Sequence, residues 1–138
     1  MVKMDRESAA REFERWAEAL RVDLEWLEKS DENTVATRSR RKIEAAIRDG
    51  AFTVDGEGFG LVFSYTPIDP RFGGKELKFR RPTGVTYMAM DAKKSGEDRA
   101  KIFATIAEMT ETPAQAIAQL DAVDIKVFEA IWFFLFGG

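Results

Sequence analysis

The sequence predicts an α+β fold: a helical pair over residues 1–50, a small three-stranded antiparallel meander over 51–82, and a C-terminal bundle of about four short helices over 83–138. Apolar residues first recur every three or four positions, then alternate every second position from residue 51, then return to helical spacing after Pro82. Glycine and proline cluster where the period changes. The 138 residues fit a single domain, since domains cluster near roughly 100–150 residues.

The elements follow in order. Phe13, Trp16, Leu20, Leu24 and Leu27 share one face of a helix predicted over about residues 5–29, with Trp26 off the stripe as a rim residue. A second helix is predicted over about residues 33–49, with Ile43 and Ile47 paired and Gly50 where a left-handed C-terminal cap belongs. Arg38, Arg40, Arg41 and Lys42 make this helix the most basic stretch of the chain. Steps of one to three residues spread them around the axis, so a solvated surface is expected and a phosphate-contacting helix is the alternative.

Phe52 and Val54, then Leu61, Phe63 and Tyr65, then Leu77 and Phe79 alternate with outward residues in "AFTVD", "FGLVFSYTP" and "KELKFRRP". "GEGFG" is a hairpin turn, not a phosphate loop, because a strand and not a helix follows it. "IDPRFGG" reads as a loop. Thr83 caps a helix over about 84–94, with Val85, Met88, Ala89 and Ala92 as its stripe. "SGED" matches a capping box, Ser95 with Asp98, opening a helix through Met109. "TPAQ" puts Thr112 at the N-cap, Pro113 at the first helical position and Gln115 two further on. "DAVD" opens the last helix, with Asp121 as cap and Asp124 near the positive end of the dipole.

Composition narrows the chemistry. With no cysteine, disulfides, thiolate metal sites and thiol catalysis are excluded; with no histidine, the usual general base and imidazole ligand go too. No metal and no cofactor are expected. A carboxylate pair such as Asp121 with Asp124 could serve acid–base work or Mg²⁺, but helix capping explains it, so the chain does not read as an enzyme. A net charge of −3 argues against a nucleic-acid partner, leaving Arg38, Arg40, Arg41 and Lys42, with Arg80 and Arg81, as an alternative reading only. "MVKMDRESAA" carries no secretion signal, and the apolar run at the other end is far short of the roughly 20 residues that span a bilayer.

That run is the sequence's most conspicuous feature. Ile131, Trp132, Phe133, Phe134, Leu135 and Phe136 follow one another without a polar side chain. A helix apolar on every side must be covered on every side. Either it is the strut of the C-terminal bundle, or its final turn, Trp132–Phe136, projects and meets a partner or another copy of the chain. With Met88, these six residues are the candidate partner-binding surface.

"ELKFRRPTGVTYMAMD" and "EDRAKIFATIAEMTETPAQAIAQLDAVDIKVFEAIWFFLFG" resemble the tail assembly chaperones of long-tailed bacteriophages. The shared pattern, over roughly residues 74–138, runs from a strand ending in a basic-Pro-Thr step to the Leu-Asp-x-x-Asp step and the closing apolar helix. The resemblance implies a non-enzymatic protein of the bacterial (prophage) host's cytoplasm, absent from the mature virion. It implies binding to the tape measure protein, which is kept soluble during tail assembly, with the tail tube protein as a further candidate partner. Family members often self-associate and are commonly made with a frameshifted extended form. The family offers no catalytic residues.

Overall fold

The computed structural model describes residues 3–25 and 33–137. Within them lie α1 (Arg6–Ala19), α2 (Asn33–Arg48), β1 (Phe52–Asp55), β2 (Val62–Tyr65), β3 (Leu77–Phe79), α3 (Gly84–Asp91), α4 (Asp98–Thr110), α5 (Ala114–Ala118) and α6 (Ala122–Phe136). These elements make an α+β fold, with helices before and after an antiparallel sheet. None of the described helices is long and apolar enough to cross a membrane.

Helix α1 is capped by Asp5, whose carboxylate accepts the Ser8 N–H at 2.7 Å. It ends at Ala19, well before residue 29. Arg21 takes a left-handed φ of 58°. Its N–H then reaches the Glu18 carbonyl at 3.0 Å, while the Val22 N–H reaches that of Ala17 at 2.9 Å. This is the two-bond helix stop usually built on glycine, and side-chain periodicity gave no sign of it. Residues 26–29, the end of the predicted helix with Trp26 and Leu27, lie outside the described residues.

An L-residue in that conformation costs roughly 1–2 kcal/mol, partly offset by the extra unfolded-state freedom of glycine. Arg21→Gly is therefore expected to raise stability by about 0.5–1 kcal/mol, read as a higher urea midpoint at unchanged slope. A midpoint that stays put would mean the arginine side chain returns what its backbone costs.

Helix α2 closes in the same way on the expected glycine. Gly50, at φ 79°, donates to the Ile47 carbonyl and Ala51 to that of Ala46.

The sheet has the order β1-β2-β3, with Phe52 opposite Tyr65, Val54 opposite Phe63, and Phe63 opposite Phe79. Its buried face is a phenylalanine ladder. Phe52 stacks on Phe63 at 5.6 Å between ring centroids, and Phe63 on Phe79 at 4.6 Å. Trp16 of α1 stands edge-on to Phe52 and Phe63. Across the hairpin, Gly56 and Gly58 both have positive φ, and a Cβ on Gly56 would sit 3.1 Å from the Gly60 carbonyl oxygen. "GEGFG" is thus a strand-to-strand turn, held to α1 by Arg15, which donates to the Val54 carbonyl at 3.0 Å and to that of Gly56.

In the C-terminal helices the caps are partly as read. Thr83 and Thr86 form a reciprocal capping box on α3, and Asp121 accepts the Val123 N–H at 2.9 Å on α6. Ser95 and Asp98 form no such box. Gly96 turns the chain at φ 91°, Glu97 accepts the Lys94 N–H, and α4 starts only at Asp98. Thr112 does not cap α5; its hydroxyl donates to the Thr110 carbonyl at 3.2 Å.

The stripe assigned to α3 is also overturned. Val85, Met88 and Ala92 are exposed, and the fully buried residue is Thr86. A polar contact sets that rotation: the Thr86 hydroxyl donates to the Glu108 carboxylate of α4, which Arg80 also grips.

Candidate functional site

The closing helix does not project. Residues 131–136 cover nearly two helical turns, so their side chains leave the axis in every direction. Ile131 and Phe134, three apart, continue the inward face of α6 and are 0% and 5% exposed. The Phe134 ring meets Phe13 at 5.2 Å and Trp16 at 6.3 Å. These two members of the predicted docking surface are therefore core. Trp132, Phe133, Leu135 and Phe136 lie half-buried around them.

What remains accessible is a strip shared by two helices. Tyr87 of α3 packs edge-on against Phe136 at 5.3 Å, and Phe136 lies 6.2 Å from Trp132. Val85 and Met88, 60% and 71% exposed, add exposed apolar surface on other sides of α3. Tyr87 and Val85 were missed as site residues because the periodicity of an eight-residue helix does not say which side a neighbour will cover. Their place beside Met88 was the one available signal. The Trp132 indole N–H is shut off from solvent without an acceptor among the described residues.

The four cations of α2 separate. Arg40 is structural: its guanidinium donates to Glu44 at 2.9 Å and Glu14 at 3.1 Å, and lies 4.8 Å above the Phe13 ring. Arg41 sits on the same side, where a cavity of about 190 Å³ is bounded by Arg40, Arg41, Glu44 and Phe134. Arg38 and Lys42 instead turn toward α6. They line a cavity of about 420 Å³ with Val35 and Ser39 of α2 and Lys126, Ala130, Trp132 and Phe133 of α6. Arg80 is committed to Glu108, and Arg81 to the Ala19 carbonyl and the Phe59 ring. The residues of the nucleic-acid alternative therefore do not form one basic surface.

Asp124 is more than a dipole-matched residue at a helix start. It is 0% exposed. Its carboxylate accepts the Tyr65 hydroxyl, the Ile68 N–H at 2.9 Å and the Asp69 N–H at 3.1 Å. Burial, then the hydrogen bond to Asp124 and its charge, push the Tyr65 hydroxyl well above the ordinary phenol range, so it stays a donor. Asp69 in turn accepts from Arg71 and from the Asp121 N–H at 2.9 Å. The Arg71 side-chain and backbone donors hold its carboxyl at about 2. Arg71 also reaches the Gln119 carbonyl at 2.9 Å. The network pins the loop after β2 to the start of α6. Among the described residues no cluster of acidic side chains is arranged to hold a metal ion.

The site is thus an apolar strip over α3 and α6, next to a cation-rimmed cavity between α2 and α6; comparison with protein-family models, with curated proteins and with solved structures finds no match to the chain.

Proposed function

We propose that the chain is a cytoplasmic tail assembly chaperone that binds the phage tape measure protein and keeps it soluble by surface contact, without catalysis. The observation that carries this reading is the exposed apolar set of α3, Val85, Tyr87 and Met88, joined through Tyr87 to the half-buried Phe136 and Trp132 of α6. Several large apolar side chains left in reach of water within one small region mark a binding surface. Methionine and aromatic groups suit a client presenting varied apolar helical surface, because thioethers repack at little cost. The resemblance over residues 74–138 supplies the identity of the client. A role in self-association uses the same surface.

The test avoids residues now placed in the core. Phe134→Asp would unfold the protein and say nothing about binding. Val85→Asp with Met88→Asp alters two exposed side chains, so the fold is expected to survive with an unchanged melting midpoint. Tape measure protein co-expressed with the double variant is expected to fall at least about tenfold in the soluble, co-purifying fraction, equivalent to about 1.4 kcal/mol of binding. Undiminished recovery by a folded double variant would remove the strip as the docking surface.

A further inference from the structure

A second surface, running the length of the α2–α6 seam, has the shape and charge of a helix-docking groove. The cavity of about 420 Å³ near Trp132 is lined at its inner end by Lys42 and Lys126. A second cavity, of about 360 Å³, lies between Ala45, Ala46 and Asp49 of α2, Val123 and Val127 of α6, and Ile68, and the same Lys42 and Lys126 line it. The two lysines are the shared wall, so the cavities are halves of one trough. On α2 it follows Val35, Arg38, Ser39, Lys42, Ala46 and Asp49, a stripe of three- and four-residue steps on one helix face. At 1.5 Å per residue this stripe is about 21 Å long, matching a partner helix of about four turns.

Its floor is made of small or buried residues, Ser39, Ala46, Val127 and Ala130, which let a third helix approach closely. Apolar anchoring points stand at the two ends. Trp132 and Phe133 are half-buried at one, and Ile68 and Val123 are 57% and 51% exposed at the other. Between them stand Arg38, Lys42 and Lys126, all exposed and without an ion-pair partner among the described residues. The trough's two carboxylates do not balance them. Glu129 is drawn 3.5 Å from Arg99, and Asp49 sits at the far end. In a chain of net charge −3, this is a locally positive surface.

We propose that the α2–α6 trough binds one amphipathic helix of a partner protein that carries acidic side chains midway between two apolar anchors. This deepens the function proposed above by naming the kind of client segment, and it rests on that reading for the partner's identity. The apolar ends supply affinity. The three cations set register and reject basic helices, since like charges opposed across an interface are costly.

The test uses the full chain and two synthetic alanine-rich helices of about 16 residues with leucines near both ends. One carries three glutamates at its centre and the other three lysines. By calorimetric titration the glutamate peptide is expected to bind at least about tenfold more tightly, with the difference shrinking as salt is raised. The variant Arg38→Glu/Lys42→Glu/Lys126→Glu, which changes only exposed side chains, is expected to reverse the order. Equal affinity for both peptides, no binding of either, or an unreversed order in the folded variant overturns the proposal.

A protein that dimerises in sedimentation while its charge-reversed form stays monomeric also overturns it, since a second copy then fills the trough. The two proposals fail separately. Peptide discrimination without capture of tape measure protein removes the chaperone reading alone. Capture undiminished by charge reversal removes the trough alone.

Discussion

Replacing Asp124 with alanine is expected to lower the unfolding free energy by about 3–5 kcal/mol, because each buried donor left without an acceptor costs about 1–3 kcal/mol and three are stranded together. Those donors are the Tyr65 hydroxyl and the N–H groups of Ile68 and Asp69. The losses overlap, so they do not sum fully. Asp124→Asn, which keeps an acceptor oxygen in place but removes the charge, is expected to cost about half as much, as a neutral acceptor makes the weaker bond.

Tyr65→Phe supplies the control. Combined with Asp124→Ala it should cost less than the two single changes added, by at least about 1 kcal/mol, since the double variant has no orphaned hydroxyl. Urea melts of the four proteins measure the cycle. If Asp124→Ala costs under about 1 kcal/mol, the carboxylate is solvated rather than holding the loop, and the seat of α6 must be sought elsewhere.

Phe134→Ala is expected to cost a further large amount on its own, about 3–5 kcal/mol, the usual range for truncating a buried phenylalanine. Its ring closes the gap between α1 and α6 against Phe13 and Trp16, and the sheet's phenylalanine ladder lies directly beyond Trp16. Phe133→Ala, at a half-buried position facing the trough, should cost clearly less, about 1–2 kcal/mol, because part of its surface still meets water.

The contrast between neighbours in one apolar run is the diagnostic feature. Amide exchange adds a second measure. The amides of Ile131 and Phe134 should be protected to nearly the global unfolding free energy. Equal costs at Phe133 and Phe134, with fast exchange at both, would mean the last turn is not seated in the core.

The sequence alone determined what depends on neighbours a few residues apart. The change of hydrophobic period marks where helices give way to strands. Gly50, Thr83 and Asp121 mark helix ends because their conformations or side chains act on backbone groups within four residues. The inward sets of the strands were legible too, as alternation fixes both faces once either is buried.

Tertiary structure decided everything whose partner is remote in the chain. Asp124 becomes a buried hub only because Tyr65, 59 positions earlier, is brought to it. Helix α3 is turned by the Thr86 hydroxyl and not by its apolar stripe, because Glu108 waits on α4. Arg21 ends α1 with no local signal for the left-handed turn it makes. The run from Ile131 to Phe136 states that a helix must be covered, but packing against α1 and α2 chose which residues became core and which stayed at the surface. Local patterning fixes an element's type and its ends; its rotation and its partners come from long-range packing and from the polar groups that packing must satisfy.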